Sequence, residues 1–240
     1  MNLHVGRFRV IRELSVCPPA YLAEGNPGER VVLRLERRAK GAQLRSSAAA
    51  WRDVPHPNAL RVVETGAIED GFYVALEHAE GDTVSVLLRG GPLSPDRARR
   101  IAEQVCDAVD AGHERGIVHG DLTAYNVIVS PRNAVKVFFA SKTRGTNDFG
   151  HPAYMAPEQI AGRPMTALSD IYSMGVLLFE MITGTVPFPR RGKIEEQLLA
   201  HLHTPPPVDD DLPFARVIRR CLAKEPGERF PTMRAVHDAL

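Results

Sequence analysis

Two aspartates near the middle of the sequence could take part in chemistry. Asp121 stands in the sequence His-Gly-Asp and precedes Asn126 by five residues, and a carboxylate can accept the proton of a hydroxyl group. Asp148 begins the sequence Asp-Phe-Gly at residues 148–150. Oxygen atoms of carboxylates and amides bind Mg²⁺ when a hairpin brings them to one ion. The chemistry of the chain therefore depends on where Asp148 lies relative to Asn126.

Alternation of apolar and polar residues predicts the strands that would carry these side chains. Three short antiparallel strands are expected within residues 7–36, and two more within residues 61–78, joined by the turn-forming residues 69–71. Two short strands should follow, around residues 126–129 and 135–138.

Helical spacing and capping residues predict helices over much of the remaining chain. One is expected over residues 43–53, and a longer one starts at Ser94 and Pro95 and stops near Gly116. Further helices are expected at residues 169–183, 193–202, 213–223 and from 232 to the end. The predicted fold class is therefore α+β, with a β-rich lobe at residues 1–78, a helical lobe at residues 79–240, and a cleft between them.

Composition and charge exclude several classes of partner. The 240 residues carry a formal net charge of +1, so no strong field favours binding to nucleic acid. The three cysteines lie far apart without a Cys-x-x-Cys pair, which disfavours a zinc site and a disulfide framework. No apolar run is long enough for a membrane span, and the first residues lack the apolar core of a signal peptide. We expect a cytoplasmic protein or, because the chain ends within its last predicted helix, the cytosolic part of a larger one.

Four segments carry a resemblance to a known family. They are GIVHGDLTAYNVIV at 116–129, GHPAYMAPEQIAG at 150–162, SDIYSMGVLLFEMITGTVPF at 169–188 and CLAKEPGERF at 221–230. In this order they resemble the motifs of bacterial-type serine/threonine protein kinases. The resemblance implies one kinase-like domain over residues 1–240, with a β-rich N-lobe and a helical C-lobe. It also implies the parts of phosphoryl transfer, which are a glycine loop, a lysine paired with a helix glutamate, a catalytic aspartate, and an asparagine and an aspartate that hold Mg²⁺.

The parts that should hold the phosphates depart from the family pattern. The glycine loop is expected after Leu14, where the sequence SVCPPAYLA has no glycine and its two prolines lack N–H groups to donate. Arg34 stands in place of the lysine, and its planar fork is not equivalent to a compact ammonium group. Ser47, or its neighbour Ser46, stands in place of the helix glutamate. Arg34 is then either a surface cation or a cation that faces phosphate.

The resemblance also implies an adenine pocket. Its remnant would consist of Val32, Leu76, Glu77, Ala79 and Ile128. Val32 replaces an alanine of the family and adds bulk to the slot. We expect this pocket to be weak or closed.

The catalytic loop follows the family more closely. Asp121 stands at the position of the catalytic base and Asn126 at the position of the metal-binding asparagine, but Thr123 replaces a lysine and Gly120 replaces an arginine. Two interpretations stay open. Asp121 and Asn126 keep their chemical roles, or their polar groups bond the backbone of the loop.

The metal-binding aspartate of the family follows the loop asparagine by about 13 positions, at the end of a short strand. Counting from Asn126 arrives at Phe139, so the residues Phe-Ala-Ser at 139–141 occupy this place. Asp148 lies nine residues later, beside Gly150, which already belongs to the following motif. We therefore expect no metal site. The alternative is that Asp148 acts as a substitute ligand in a folded-back loop.

The remaining family positions look structural. The resemblance pairs Glu158 with Arg229 in a buried ion pair and makes Asp170 the residue that holds the catalytic loop. Ala140 replaces a phenylalanine that packs beneath the regulatory helix. We hypothesise that Trp51 and Phe139 fill the vacated volume, because protein interiors stay close-packed.

These departures predict a pseudokinase that acts as a protein-binding scaffold or allosteric regulator. Its partners would be other signalling proteins, such as a kinase or a phosphothreonine-reading domain recruited by phosphorylated Thr143 or Thr146. No cofactor is expected. The alternatives are an atypical kinase of low activity that uses Asp121 and Asn126, and a nucleotide sensor that binds ATP without metal and without turnover.

Overall fold

The computed structural model describes residues 3–16, 19–37, 48–52, 54–138, 151–189 and 192–240. Within them lie a β-sheet lobe at the N-terminal end and a helical lobe after it. The fold class is α+β, as the sequence predicts. The division of the chain at residues 78 and 79 stays a prediction.

The N-terminal lobe is a six-stranded antiparallel sheet with the order β1-β2-β3-β4-β6-β5. Its strands are β1 (His4–Val5), β2 (Phe8–Val16), β3 (Pro19–Glu24), β4 (Arg30–Arg37), β5 (Val62–Ile68) and β6 (Gly71–Glu77). The five strands predicted for this part are confirmed, and β1 is an addition of two residues. The turn between β5 and β6 falls at residues 69 and 70, since Gly71 is already paired with Ile68.

The central strand β4 separates two apolar clusters, because successive side chains of a strand point to opposite faces. Val31 and Leu33 belong to one cluster, on one face of the sheet. Val32 packs against the other cluster, which contains Leu76 of β6 and Phe138 from the second half of the chain. By the same alternation Arg34 projects from the face of Val32, toward the helical lobe.

A small second sheet links the two lobes. It has the order β7-β8-β9, with β7 (Asp82–Thr83), β8 (Val127–Val129) and β9 (Val135–Val137). Strand β9 also binds the segment that precedes β5, because Val137 donates its N–H to the Asn58 carbonyl (2.7 Å) and accepts from the N–H of Leu60 (2.9 Å). Residues at the end of β9 are therefore held between the two lobes.

Helices make up most of the second lobe. They are α1 (Val84–Leu87), α2 (Pro95–His113), α3 (Pro157–Ile160), α4 (Ala167–Thr183), α5 (Ile194–His203), α6 (Ala215–Cys221) and α7 (Met233–His237). Residues 48–52 are also helical, inside the helix predicted for residues 43–53. The short helices α1 and α3 were not predicted. Among the helices of the described residues, none combines the length and apolar character needed to cross a membrane.

The ends of two helices test the predicted boundaries. Helix α2 begins at Pro95 and ends at His113. The chain leaves the helix through Gly116, which has a φ of +71° in the left-handed region that favours glycine. Both ends are confirmed. The prediction that the last helix reaches the end of the chain is wrong, because α7 ends at His237. The N–H groups of Ala239 and Leu240 donate to the carbonyls three residues earlier, those of Val236 and His237. This turn is tighter than that of an α-helix, and it ends the helix.

Candidate functional site

The catalytic loop is tied to helix α4 through one carboxylate. Asp170 lies in the first turn of α4, with 1% of its surface exposed. Its two oxygens accept the backbone N–H groups of His119 and Gly120, both at 2.8 Å, and Nε2 of His113 lies 2.7 Å from Oδ2. Gly120 has a φ of +73°, which glycine adopts without steric cost. This geometry brings Asp170 to the loop, as the resemblance implies, and adds His113, which the sequence analysis missed.

His119 connects this loop to the end of β9. Its Nε2 lies 3.1 Å from the carbonyl oxygen of Phe138, and its Nδ1 accepts the N–H of Asp121 at 3.2 Å. A carbonyl oxygen can only accept, so the proton of the neutral ring is on Nε2. Burial lowers the pKa of His119, more than the nearby Asp170 carboxylate raises it. The imidazole is therefore a neutral structural link between the loop and Phe138.

Asp121 and Asn126 lie together, as their spacing suggests. The Nδ2 group of Asn126 donates to the backbone oxygen of Asp121 at 2.8 Å and to its carboxylate Oδ2 at 3.3 Å. The other oxygen, Oδ1, accepts the N–H of His151 at 3.4 Å. Thr123 is buried, and its hydroxyl oxygen accepts the N–H of Tyr125 at 3.3 Å. Here the polar side chains of the loop bond its own backbone and the segment that follows.

Arg34, at the position of the family's lysine, lies over an aromatic ring. The central carbon of its guanidinium group is 4.5 Å from the ring centroid of Phe138. Its Nε is buried and has no hydrogen-bond partner among the described residues. Burial lowers the pKa of Arg34, while the carboxylates of Glu36 and Asp121 oppose this. The side chain of Arg34 is half-buried, with its guanidinium group over the ring of Phe138, and its role as a surface or phosphate-facing cation stays a prediction.

The residues of the expected adenine pocket fall into two groups. Leu76 belongs to the same buried cluster as Phe138, and Val32 and Ala79 pack against that cluster. Ile128 is half-buried on β8, opposite Lys136 of β9.

Glu77 accepts hydrogen bonds from a side chain of the second sheet and from the backbone just before β5. Its Oε1 accepts from Nζ of Lys136 at 2.5 Å and from the backbone N–H of Arg61 at 3.1 Å. Lys136 lies on β9 and Glu77 at the end of β6, so this pair joins the two lobes beside the adenine pocket.

Trp51 packs in the apolar core of the helical lobe. Only 3% of its surface is exposed, and its ring centroid lies 6.3 Å from that of His119. A Cβ atom at Gly112 of α2 would lie 2.3 Å from Cη2 of Trp51. Position 112 must therefore be glycine for the indole to reach α2. That Phe139 shares in filling this volume stays a prediction.

Several residues of the sequence analysis lie outside the described residues, so their predicted roles stay predictions. They are Pro18, Ser46, Ser47, Phe139, Ala140, Thr143, Thr146 and Asp148.

Glu158 and Arg229 form a buried ion pair in the helical lobe. Two parallel hydrogen bonds of 2.8 Å join the guanidinium group to the carboxylate, and the Ser169 hydroxyl donates to Glu158 at 2.7 Å. The remaining N–H groups of Arg229 donate to the carbonyls of Ala223, Leu168 and Lys224. Burial opposes ionisation of Glu158, but the hydrogen bonds outweigh it and lower the pKa of this carboxyl.

An aromatic stack beside Asp121 was not foreseen. Tyr125 is 57% exposed and stacks on His151 with ring centroids 5.3 Å apart, and Tyr154 meets the edge of His151. The residue types and their family positions gave no signal for this contact. The stack lies next to the Asp121 carboxylate, because the backbone N–H of His151 donates to that group.

Comparisons with known proteins agree with this geometry. The model of the protein kinase domain matches residues 31–240. A serine/threonine-protein kinase, pkn3 of Myxococcus xanthus, is 34% identical over 84% of this chain and 40% of its own length. Serine/threonine-protein kinase Pkn1 of the same organism is 31% identical over 100% of this chain and 38% of its own length. PrkC of Bacillus subtilis is 30% identical over 79% of this chain and 32% of its own length.

The chain thus spans less than half the length of these relatives, from 32% to 40%. The match to the family model covers both the sheet from β4 onward and all the helices. The chain belongs to the protein kinase domain family and is a member of its bacterial serine/threonine type.

Proposed function

We propose that this kinase domain is catalytically impaired and acts as a pseudokinase, a protein-binding scaffold or allosteric regulator. The observation that carries the proposal is the placement of Arg34. A cation that orients phosphates needs an acidic partner on the regulatory helix and an open path to the nucleotide. Arg34 instead has its guanidinium group over the ring of Phe138, with Nε unpaired within the described part of the chain.

The residues of the cleft do not fit the nucleotide and metal that the family uses. Adenine needs a flat apolar slot, but Leu76 belongs to the buried cluster that contains Phe138, and Val32 and Ala79 pack against that cluster. The sequence adds Phe139 at the place of the metal-binding aspartate, and a phenyl ring offers no oxygen to Mg²⁺. This position lies outside the described residues, so the missing metal ligand is part of the proposal.

The expected loss of activity is large. A metal ion contributes several kcal/mol to charge stabilisation, so its loss alone should slow transfer on the order of a thousandfold. A kinase turnover of roughly 1 to 100 per second would then fall to at most about 0.1 per second. The further losses at the glycine loop, Arg34 and Ser47 need not add, because these parts act as a unit.

The scaffold role would be exercised on other signalling proteins in the cytoplasm, by this domain alone or as part of a longer chain. A kinase could phosphorylate Thr143 or Thr146, and a phosphothreonine-reading domain could then bind. No nucleic acid partner is proposed, because the charge is balanced at +1.

A second candidate is an atypical kinase of low activity, and one observation favours it. Asp121 and Asn126 lie in hydrogen-bond contact, and Asp170 holds the loop that carries them. A proton acceptor is therefore positioned, although the phosphate-binding parts differ.

Thermal unfolding with ATP, in the presence and absence of Mg²⁺ or Mn²⁺, tests these candidates together with a phosphate-transfer assay. A ligand present at 100 times its dissociation constant stabilises by about 2.7 kcal/mol, which is readily seen as a shift of the melting temperature. The pseudokinase proposal predicts no shift and no transfer. A shift without transfer would indicate a nucleotide sensor.

Transfer that Asp121→Asn abolishes would contradict the proposal and establish the atypical kinase. Asp209→Asn is the matched control, because Asp209 is exposed in the connector between α5 and α6. This control should leave any transfer unchanged.

A further inference from the structure

Among the described residues, Phe138 is the one aromatic side chain in the buried cluster on the face of the sheet that carries Val32. Its exposed fraction is 7%, although it comes from the second half of the chain, directly after strand β9. The cluster includes Leu76, and Val32 and Ala79 lie against it. Three of the five residues expected to surround adenine thus belong to, or pack against, a cluster that contains an aromatic ring of the protein itself.

The backbone at Phe138 is fixed from three directions. Its N–H donates to the carbonyl of Asn126 at 2.7 Å, and its own carbonyl accepts from His119 at 3.1 Å. The preceding residue, Val137, is bonded to both Asn58 and Leu60. The ring cannot leave the cluster by a movement of the backbone unless several of these hydrogen bonds break.

Arg34 holds the ring from the side of the sheet. Its guanidinium carbon lies 4.5 Å from the ring centroid, within the range of a cation–π contact. The buried Nε of Arg34 has no hydrogen-bond partner among the described residues, which is unfavourable, and the negative face of an aromatic ring offsets part of this cost. Each of the two side chains is therefore more stable in contact with the other than without it.

We infer that the ring of Phe138, held by Arg34, closes the remnant adenine pocket from inside and is the residue that excludes a nucleotide base from this domain. The inference deepens the proposed function and rests on it. A base could enter only in the fraction of molecules whose ring has moved out, and the apparent affinity falls by that fraction. Removing the ring should therefore restore part of the affinity without any change at the phosphate-binding residues.

The test measures binding of adenosine by titration calorimetry to the full chain and to Phe138→Ala. Adenosine has no phosphate, so the altered glycine loop and metal position do not affect the outcome. We expect Phe138→Ala to bind adenosine at least about tenfold more tightly than the unchanged chain, because burial of the ring competes with the base. Phe138→Leu keeps the cluster apolar and should show a smaller gain in the same direction.

Phe230→Ala is the matched control. Phe230 is similarly buried, at 6% exposed, and the guanidinium carbon of Arg220 lies 4.3 Å from its ring, but this pair is in the helical lobe. It should lose stability without any gain in adenosine affinity.

The inference is overturned if the unchanged chain binds adenosine as tightly as Phe138→Ala. It is also overturned if neither Phe138 variant gains affinity while circular dichroism shows at least Phe138→Leu to be folded. A phosphate-transfer assay on the unchanged chain judges the proposed function separately. Transfer would refute impairment, whereas absence of transfer together with tight adenosine binding would refute only the closure by Phe138.

Discussion

Two arginines of this domain, Arg229, which is buried, and Arg34, which is half-buried, differ in the partners of their guanidinium groups. Arg229 lies in the helical lobe with its side chain fully buried, and its N–H groups donate to the Glu158 carboxylate and to three backbone carbonyls. Arg34 lies between the lobes, with an unpaired Nε among the described residues and an aromatic ring as its neighbour. One guanidinium group is fully hydrogen-bonded and the other is not.

The contrast separates the part of the molecule that maintains the fold from the part that would perform chemistry. Around Arg229 and Asp170 in the helical lobe, the buried charges keep specific hydrogen-bond partners. Around Arg34, the described contact is with the apolar ring of Phe138, and the carboxylates of Glu36 and Asp121 act on its charge without a hydrogen bond among the described residues. A charge removed from water requires partners to be stable, and the incomplete set at Arg34 supports the proposal that this side of the domain is catalytically impaired.

The largest effect is expected from Arg229→Met. Breaking a buried ion pair leaves the Glu158 carboxylate without its partner, and this should lower the free energy of unfolding by about 3 to 5 kcal/mol. Urea unfolding at neutral pH measures the loss, with Arg219→Met as a control at a partly exposed pair with Asp210. A change as small as in the control would show that the pair is dispensable.

The difference in the free energy of unfolding between Arg229→Met and the unchanged chain should depend on pH, because the pKa of Glu158 is lowered. A carboxyl whose pKa is lowered in the folded state stabilises that state at pH values above its ordinary pKa of 4.5. That contribution is lost as the pH falls through the pKa of the folded state. The difference between Arg229→Met and the unchanged chain should therefore narrow below pH 4.5.

A similar or slightly smaller effect is expected from Trp51→Ala. The indole fills the space over Gly112 and beside His119, so its removal leaves a cavity in the apolar core of the helical lobe and should cost about 3 to 5 kcal/mol. Chemical unfolding followed by circular dichroism avoids dependence on the only tryptophan. A loss below about 1 kcal/mol would contradict the volume-filling hypothesis.

The smallest effect is expected from Arg34→Met. Methionine keeps the length of the apolar stem and removes a poorly paired charge, so the free energy of unfolding should change by less than about 1 kcal/mol in either direction. A loss comparable to that of Arg229→Met would show that Arg34 has a strong partner, and the contrast between the two arginines would then fail. Both variants can be measured in one series of urea unfolding curves.

Sequence patterns predicted most of the strands and long helices, because alternation and capping residues act on the backbone of their own segment. Alternation along residues 30–37 predicts β4, and Ser94, Pro95 and Gly116 mark the ends of α2 through their own backbone preferences. The last helix was overextended because fraying at a terminus leaves no mark in residue types. The short helices α1 and α3 have too few residues to show a period.

The candidate site was predictable only in part, for a related reason. The positions of Asp121, Asn126 and Asp170 follow from spacing within motifs, and the structure brings them together. The sequence analysis gave no role to Phe138, because nothing in the sequence Val-Phe-Phe distinguishes a ring that enters the cleft from one that only follows a strand. His113 and the stack of Tyr125 on His151 were missed because each depends on a partner distant in the sequence.

The sequence by itself determined which family this chain belongs to, and which residue types stand at each position where the family performs chemistry. The tertiary structure alone decided that Arg34 meets Phe138, which is more than 100 residues away in the chain, and that Trp51 rests on Gly112. Residue types are local properties. Contacts between lobes depend on how two separately formed surfaces pack, and close packing selects partners by shape and volume, which no local pattern records.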